Sequence, residues 1–98
     1  MRQVRRPGLD ATCVGFLREH DVAVLLWDMG DQLPYGYDLA FEVHYAIVAY
    51  GMAFVDAALL EPLARACAEE QRYEFMLTLA PLRVVGGTGC PINPLAIF

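Results

Sequence analysis

Ninety-eight residues set the scale of one domain or of part of one. Hydrophobic residues make up 57% and charged residues 19%, against about 45–50% and about 25% in a typical globular chain, which excludes a disordered chain. The net charge of −5 and the complete absence of Lys exclude a phosphate-binding surface, so no nucleic-acid partner is expected.

Residues 1–6 form a basic tail that carries Arg2, Arg5 and Arg6. Pro7 and Gly8 then introduce a helix predicted over 8–19, whose apolar stripe is Leu9, Cys13, Phe16 and Leu17. Asp10 lies where an acidic group favours a helix N-terminus, and His20-Asp21 closes the helix. The continuous apolar run from Val22 to Trp27 reads as a strand buried on both faces. From Asp28 to Glu42 the pattern breaks into Gly30, Asp31, Pro34, Gly36 and Asp38, a loop of about 15 residues, long enough to suggest function rather than connection.

Val43, Ile47 and Tyr50 restore helical spacing, and Gly51 stands in a good position to end that helix. Met52 to Val55 is a second buried strand. Leu60, Leu63, Ala64 and Cys67 mark a third helix, with Pro62 tolerable in its first turn and Glu69-Glu70-Gln71 as its solvated tail. Tyr73, Phe75, Leu77 and Leu79 alternate with Glu74, Met76, Thr78 and Ala80, the period of a half-buried strand. Pro81 interrupts it and points to a sheet edge or a bulge. Gly86-Gly87-Thr88-Gly89 is a turn, and Pro94 to Phe98 a closing strand. The order α-β-α-β-α-β-β gives an α/β fold class.

Several chemistries drop out at once. The longest apolar run, Tyr45 to Val55, is about half of the ~20 residues that span a bilayer. The arginines of the tail are followed by Pro-Gly-Leu-Asp rather than an apolar core, so no signal peptide is read. A cytoplasmic protein without a membrane partner is expected. Three cysteines (Cys13, Cys67 and Cys90) with no CxxC pair give neither a disulfide framework nor a zinc knuckle. Serine is absent, which removes every Ser-His-Asp scheme. The glycine-rich turn lacks the Lys-Ser/Thr of a P-loop.

His44 and Asp56 are the polar pair of interest. A helix start and a strand end meet at one edge of an α/β layer if the chain reverses between them, which Gly51 permits. Imidazole and carboxylate are both ligands for Zn²⁺ or Mn²⁺. The plainer alternative is a helix-start His and an Asp that caps residues 57–60. Asp28, Asp31 and Asp38 read as solvated loop carboxylates. Cys90 is either a structural thiol or, beside a cation or helix N-terminus, a reactive one.

The segment from Tyr73 to Arg83, followed by Gly86-Gly87-Thr88-Gly89-Cys90-Pro91-Ile92-Asn93-Pro94-Leu95-Ala96-Ile97-Phe98, resembles the end of the cyclase family that includes bacterial kynurenine formamidases (arylformamidases) and isatin hydrolases. That family closes on an EF-L-aPL-ggTGSPvNPiAi pattern, in which Cys90 stands for the usual Ser. The strand entry His20-Asp21-Val22-Ala23-Val24-Leu25 and the His44 to Asp56 segment also match, so the resemblance spans about residues 7–98.

The resemblance implies a metal-dependent hydrolase of carbonyl–nitrogen bonds with a swivelling β/β/α fold and an oligomeric assembly. It implies a divalent metal, Zn or Mn, held in part by His44 and Asp56, which keep the family's twelve-residue spacing with Asp at a position often occupied by Glu. The family's N-terminal HxGTHxDxPxH motif has no counterpart here, since the only two histidines are His20 and His44. The chain therefore looks like the C-terminal portion of such an enzyme. It is expected to be inactive alone, with its catalytic residues unassigned and a small amide, formamide or lactam as the substrate of the whole. It would form a homo-oligomer or associate with a chain that carries the N-terminal half. Ile47, Tyr50, Phe54 and Phe75 are candidates for the uncovered surface. The alternative is a non-catalytic α/β interaction or assembly module.

Overall fold

The computed structural model describes residues 4–98, mixed helix and strand arranged in two compact units, Met1–Leu59 and Leu60–Phe98. Met1 to Gln3, half of the basic tail, lie outside the described residues.

The first unit contains α1 (Cys13–Glu19), β1 (Val24–Leu26), α2 (Tyr45–Tyr50) and β2 (Ala53–Val55). β1 and β2 pair in parallel, with Val24 opposite Ala53, Leu25 opposite Phe54 and Leu26 opposite Val55. Parallel neighbours need a crossover connection, and the loop 28–44 with α2 supplies it. Leu17, Trp27, Val43, Ala46 and Met52 form the core, against which Leu9, Val14, Val22, Leu25 and Phe54 pack. The strands are half-buried along β1 rather than sealed on both faces as expected. Their sheet has only two strands, so each has an open edge.

The first helix is shorter than its apolar stripe suggested. Residues 6–9 are drawn instead alongside 30–33: Arg6 and Leu33 exchange backbone hydrogen bonds, Leu9 N–H donates to the Gly30 carbonyl, and Gln32 N–H to that of Leu9. Gly8 is required at this contact, because a Cβ there would lie 2.4 Å from the backbone of Asp31 and Gln32. Asp10 then closes a tight turn. Its carboxylate accepts the Thr12 N–H and hydroxyl while its carbonyl accepts the Cys13 N–H, and the helix begins only at Cys13. Phe16 is exposed and stacks on His20 instead of joining the core.

α2 is preceded by His44 at the N-cap position and ends at Gly51, whose N–H donates to the Ile47 carbonyl and whose φ of 66° turns the chain out of the helix.

The second unit contains α3 (Glu61–Glu70), β3 (Met76–Thr78) and β4 (Leu95–Ile97). Pro62 lies in the first turn of α3, where its missing N–H costs nothing. β3 and β4 are antiparallel, pairing Met76 with Ile97, Leu77 with Ala96 and Thr78 with Leu95. Phe75, Leu77 and Leu79 are half-buried while Met76 and Thr78 are exposed, in the phase of the sequence alternation, but Tyr73 at the head of that alternation is exposed and the strand is shorter than expected. Phe75 and Phe98 rings lie 5.4 Å apart, with the Arg72 guanidinium over Phe98. Residues 80–89, the stretch around the glycine-rich turn, are all exposed. Among the described residues, no helix is long and apolar enough to cross a membrane.

Candidate functional site

Two parallel strands end at one place. Trp27 follows β1 and Asp56 follows β2, and the crevice beyond the carboxyl ends of parallel strands is where α/β sheets commonly bind ligands. The crossover loop delivers His44 to this edge. Its Nε2 lies 3.2 Å from Asp56 Oδ2, and its Nδ1 lies 2.5 Å from Asp31 Oδ2. One imidazole is therefore held between two carboxylates.

The two carboxylates differ in surroundings. The Asp31 side chain is 2% exposed and that of Asp56 59%, with His44 between them at 29%. Asp31 uses its second oxygen to accept the Val43 N–H at 2.6 Å. Asp56 uses its second oxygen to accept the indole N–H of Trp27. Around the imidazole stand the rings of Trp27 and Phe54, each 5.2 Å away by centroid, and of Phe41 at 5.7 Å.

A neutral imidazole has one N–H and one lone pair. It can donate to one of these carboxylates, but its other nitrogen then meets the second carboxylate lone pair to lone pair. The pair of contacts is satisfied only when positive charge, a proton or a metal ion, resides at the second nitrogen. Two donors bound to one tetrahedral Zn²⁺ at about 2.0–2.1 Å lie about 3.3 Å apart. The 3.2 Å between His44 Nε2 and Asp56 Oδ2 fits that edge. Two ligands do not complete a centre, and among the described residues no group of three or more His, Cys, Asp or Glu converges on one metal position.

The structure thus brings His44 and Asp56 together and corrects two expectations. Asp56 does not cap the following helix: α3 starts at Glu61, with Leu60 at the N-cap position and no side-chain cap bond. Asp31 is not a solvated loop carboxylate, because the contacts of residues 6–9 and the N–H of Val43 fold it into the core side of the loop. Asp28 and Asp38 are exposed, as expected of loop carboxylates.

Sequence reasoning passed over Glu42 as well. It is buried, and its carboxylate accepts the backbone N–H groups of Gly36 and Tyr37, which closes the second half of the loop. The available signal was position: Glu42 and His44 flank Val43, which is fully buried. Cys90 lies in the second unit, where its Sγ accepts the Leu82 N–H at 3.2 Å, a turn-closing contact. Cys67 is buried. Ile47 and Tyr50 are exposed, and Phe54 and Phe75 half-buried.

No protein-family model, curated protein or solved structure matches this chain.

Proposed function

We propose that His44 and Asp56 supply part of a divalent metal centre, Zn²⁺ or Mn²⁺, in the C-terminal portion of a cyclase-like amidohydrolase. The finer fold reading, a part of a swivelling β/β/α domain, belongs to the same proposal. One observation carries it: an imidazole lies between two carboxylates, one buried and one accessible, at the carboxyl edge of a parallel strand pair, with the accessible contact at the spacing of two ligands on one ion. The closing motif from Tyr73 to Phe98 supports the family reading.

When bound, the metal would serve as a Lewis acid and activate water toward the carbonyl of a formamide, amide or lactam. The chain's own residues prepare that position. Trp27 holds the far oxygen of Asp56, leaving the near one toward His44. The rings of Trp27, Phe41 and Phe54 keep the imidazole in place and shield its faces from water. Further ligands and the acid/base group would come from residues beyond these 98 or from another chain.

Calorimetric titration of the chain with Zn²⁺ and Mn²⁺ tests the reading. Binding that weakens at least tenfold in both His44→Ala and Asp56→Asn supports it, and no binding to the wild type ends it. The chain alone should not hydrolyse an aryl formamide. Robust turnover would show that the centre is complete and overturn the view that it is partial.

A non-catalytic assembly module is the second reading. The observation in its favour is the number of large apolar side chains left exposed, among them Val48, Leu59 and Val85, together with the lack of a third ligand among the described residues. It predicts self-association with no metal dependence.

A further inference from the structure

We infer that Asp31 is a positioning residue for His44: its buried carboxylate fixes the imidazole as the Nδ1–H tautomer and so keeps the Nε2 lone pair directed at Asp56 and solvent. Nothing in the loop's sequence sets Asp31 apart from Asp28 and Asp38. The structure does, by burial and by what holds it.

Asp31 is restrained through its carbonyl and both carboxylate oxygens. Its carbonyl accepts two hydrogen bonds from the Arg6 guanidinium, at 3.0 and 3.3 Å. The backbone of Gly8 packs directly on Asp31 and Gln32, at a distance that admits no side chain. Oδ1 is occupied by the Val43 N–H, which leaves Oδ2 for the ring of the next residue. An ionised carboxylate only accepts hydrogen bonds. The nitrogen facing it must therefore carry the proton. Asp56 makes the same demand of Nε2, but at 3.2 Å and from an exposed carboxylate that water can serve, so a neutral ring keeps its one proton at Nδ1, against the buried Asp31.

Carboxylates that orient metal-bound histidines in this way typically matter by ~10–100-fold in affinity. The role in metal binding rests on the reading of His44 and Asp56 as ligands. The role in tautomer selection does not.

The substitution Asp31→Asn separates the two. An Asn whose oxygen keeps the Val43 N–H presents its NH₂ to Nδ1, a donor where an acceptor stood. The ring must answer by moving its proton to Nε2, the atom assigned to the metal. His20 provides an internal control, since its Nδ1 lies 2.9 Å from the Phe16 carbonyl, another pure acceptor, in a different part of the unit.

The test is ¹⁵N NMR of the two histidines in the full chain with the rings neutral, paired with Zn²⁺ titration. In the wild type both rings should be Nδ1–H tautomers. In Asp31→Asn, His44 should switch to Nε2–H while His20 stays unchanged, and Zn²⁺ affinity should fall at least tenfold. A wild-type His44 in the Nε2–H form overturns the inference without any variant, so a variant that fails to fold does not protect it. A variant that folds and keeps Nδ1–H overturns it too, and one that switches yet binds Zn²⁺ as the wild type does ends the role of Asp31 in metal binding. If the wild type binds no Zn²⁺, the metal reading fails by itself, and the tautomer measurement decides the role of Asp31.

Discussion

The indole N–H of Trp27 donates to Oδ1 of Asp56, so a core side chain at the end of β1 holds the accessible carboxylate at the end of β2. Trp27 is almost fully buried, and its backbone extends the same strand pairing, with Trp27 N–H donating to the Val55 carbonyl and Ala58 N–H to that of Trp27. Trp27→Phe removes the donor and part of the ring while keeping the pocket aromatic. The cost should be about 1–3 kcal/mol, from lost packing and from a carboxylate left to water. Urea unfolding measures it. Unchanged stability would mean that the indole does not anchor Asp56.

Two glycines of the first unit should respond in opposite ways. A Cβ at Gly8 would sit 2.4 Å from backbone atoms of Asp31 and Gln32, which cannot yield as a flexible side chain can. Gly8→Ala must push the 6–9 segment off the loop and should cost about 1–3 kcal/mol or more. Gly15 lies inside α1 with nothing near its Cβ position. Gly15→Ala should stabilise by about 0.5–1 kcal/mol through helix propensity alone. Thermal or urea melts of the two variants give the signs, and a neutral Gly8→Ala would argue against the close approach.

The Gly8 contact also explains which features could be read in advance. The alternating burial from Phe75 to Leu79 and the helix stop at Gly51 are local properties, written in periodicity and in the freedom of glycine at positive φ. The meeting of His44 and Asp56 followed from one reversal of the chain. The start of α1 did not, because the stripe at Leu9 is helical in spacing while pairing with residues 30–33 keeps that segment extended. Asp31 and Glu42 were illegible for the same reason. A carboxylate becomes buried by accepting backbone N–H groups supplied by residues elsewhere in the loop, and no spacing rule encodes that.

Asp10 gives a pH dependence. The Thr12 hydroxyl, and secondarily the Thr12 N–H, hold its carboxyl below the ordinary value of 3.8. A carboxyl whose value is depressed on folding contributes stability that is present above the unfolded value and lost as pH falls through the folded one. The turn before α1 should therefore loosen only below about pH 4. Thr12→Val removes the larger cause and should move the Asp10 midpoint, followed by carboxyl NMR, upward toward the ordinary value. An unmoved midpoint would mean that the hydroxyl does not hold this carboxylate.

The exposed face of the β3–β4 pair sets the last expectation. Met76 and Ile97 stand opposite each other and are both largely exposed, with Leu95 beside them. Apolar burial is worth about 25 cal/mol per Å², so such surface favours association, and a net charge of −5 does not hide it. The wild-type chain should self-associate at micromolar concentration and bind dyes that report apolar surface. Met76→Glu with Ile97→Lys replaces the pair by opposite charges across the strands, an arrangement worth about 0.2–1 kcal/mol relative to Ala–Ala, which offsets the little packing lost. Sedimentation velocity and dye fluorescence of the double variant should both fall toward those of a monomer, with the unfolding midpoint nearly unchanged. A large loss of stability would show instead that this face is covered in the folded chain, and a wild type that sediments as a monomer without binding dye would show that its apolar surface drives no association.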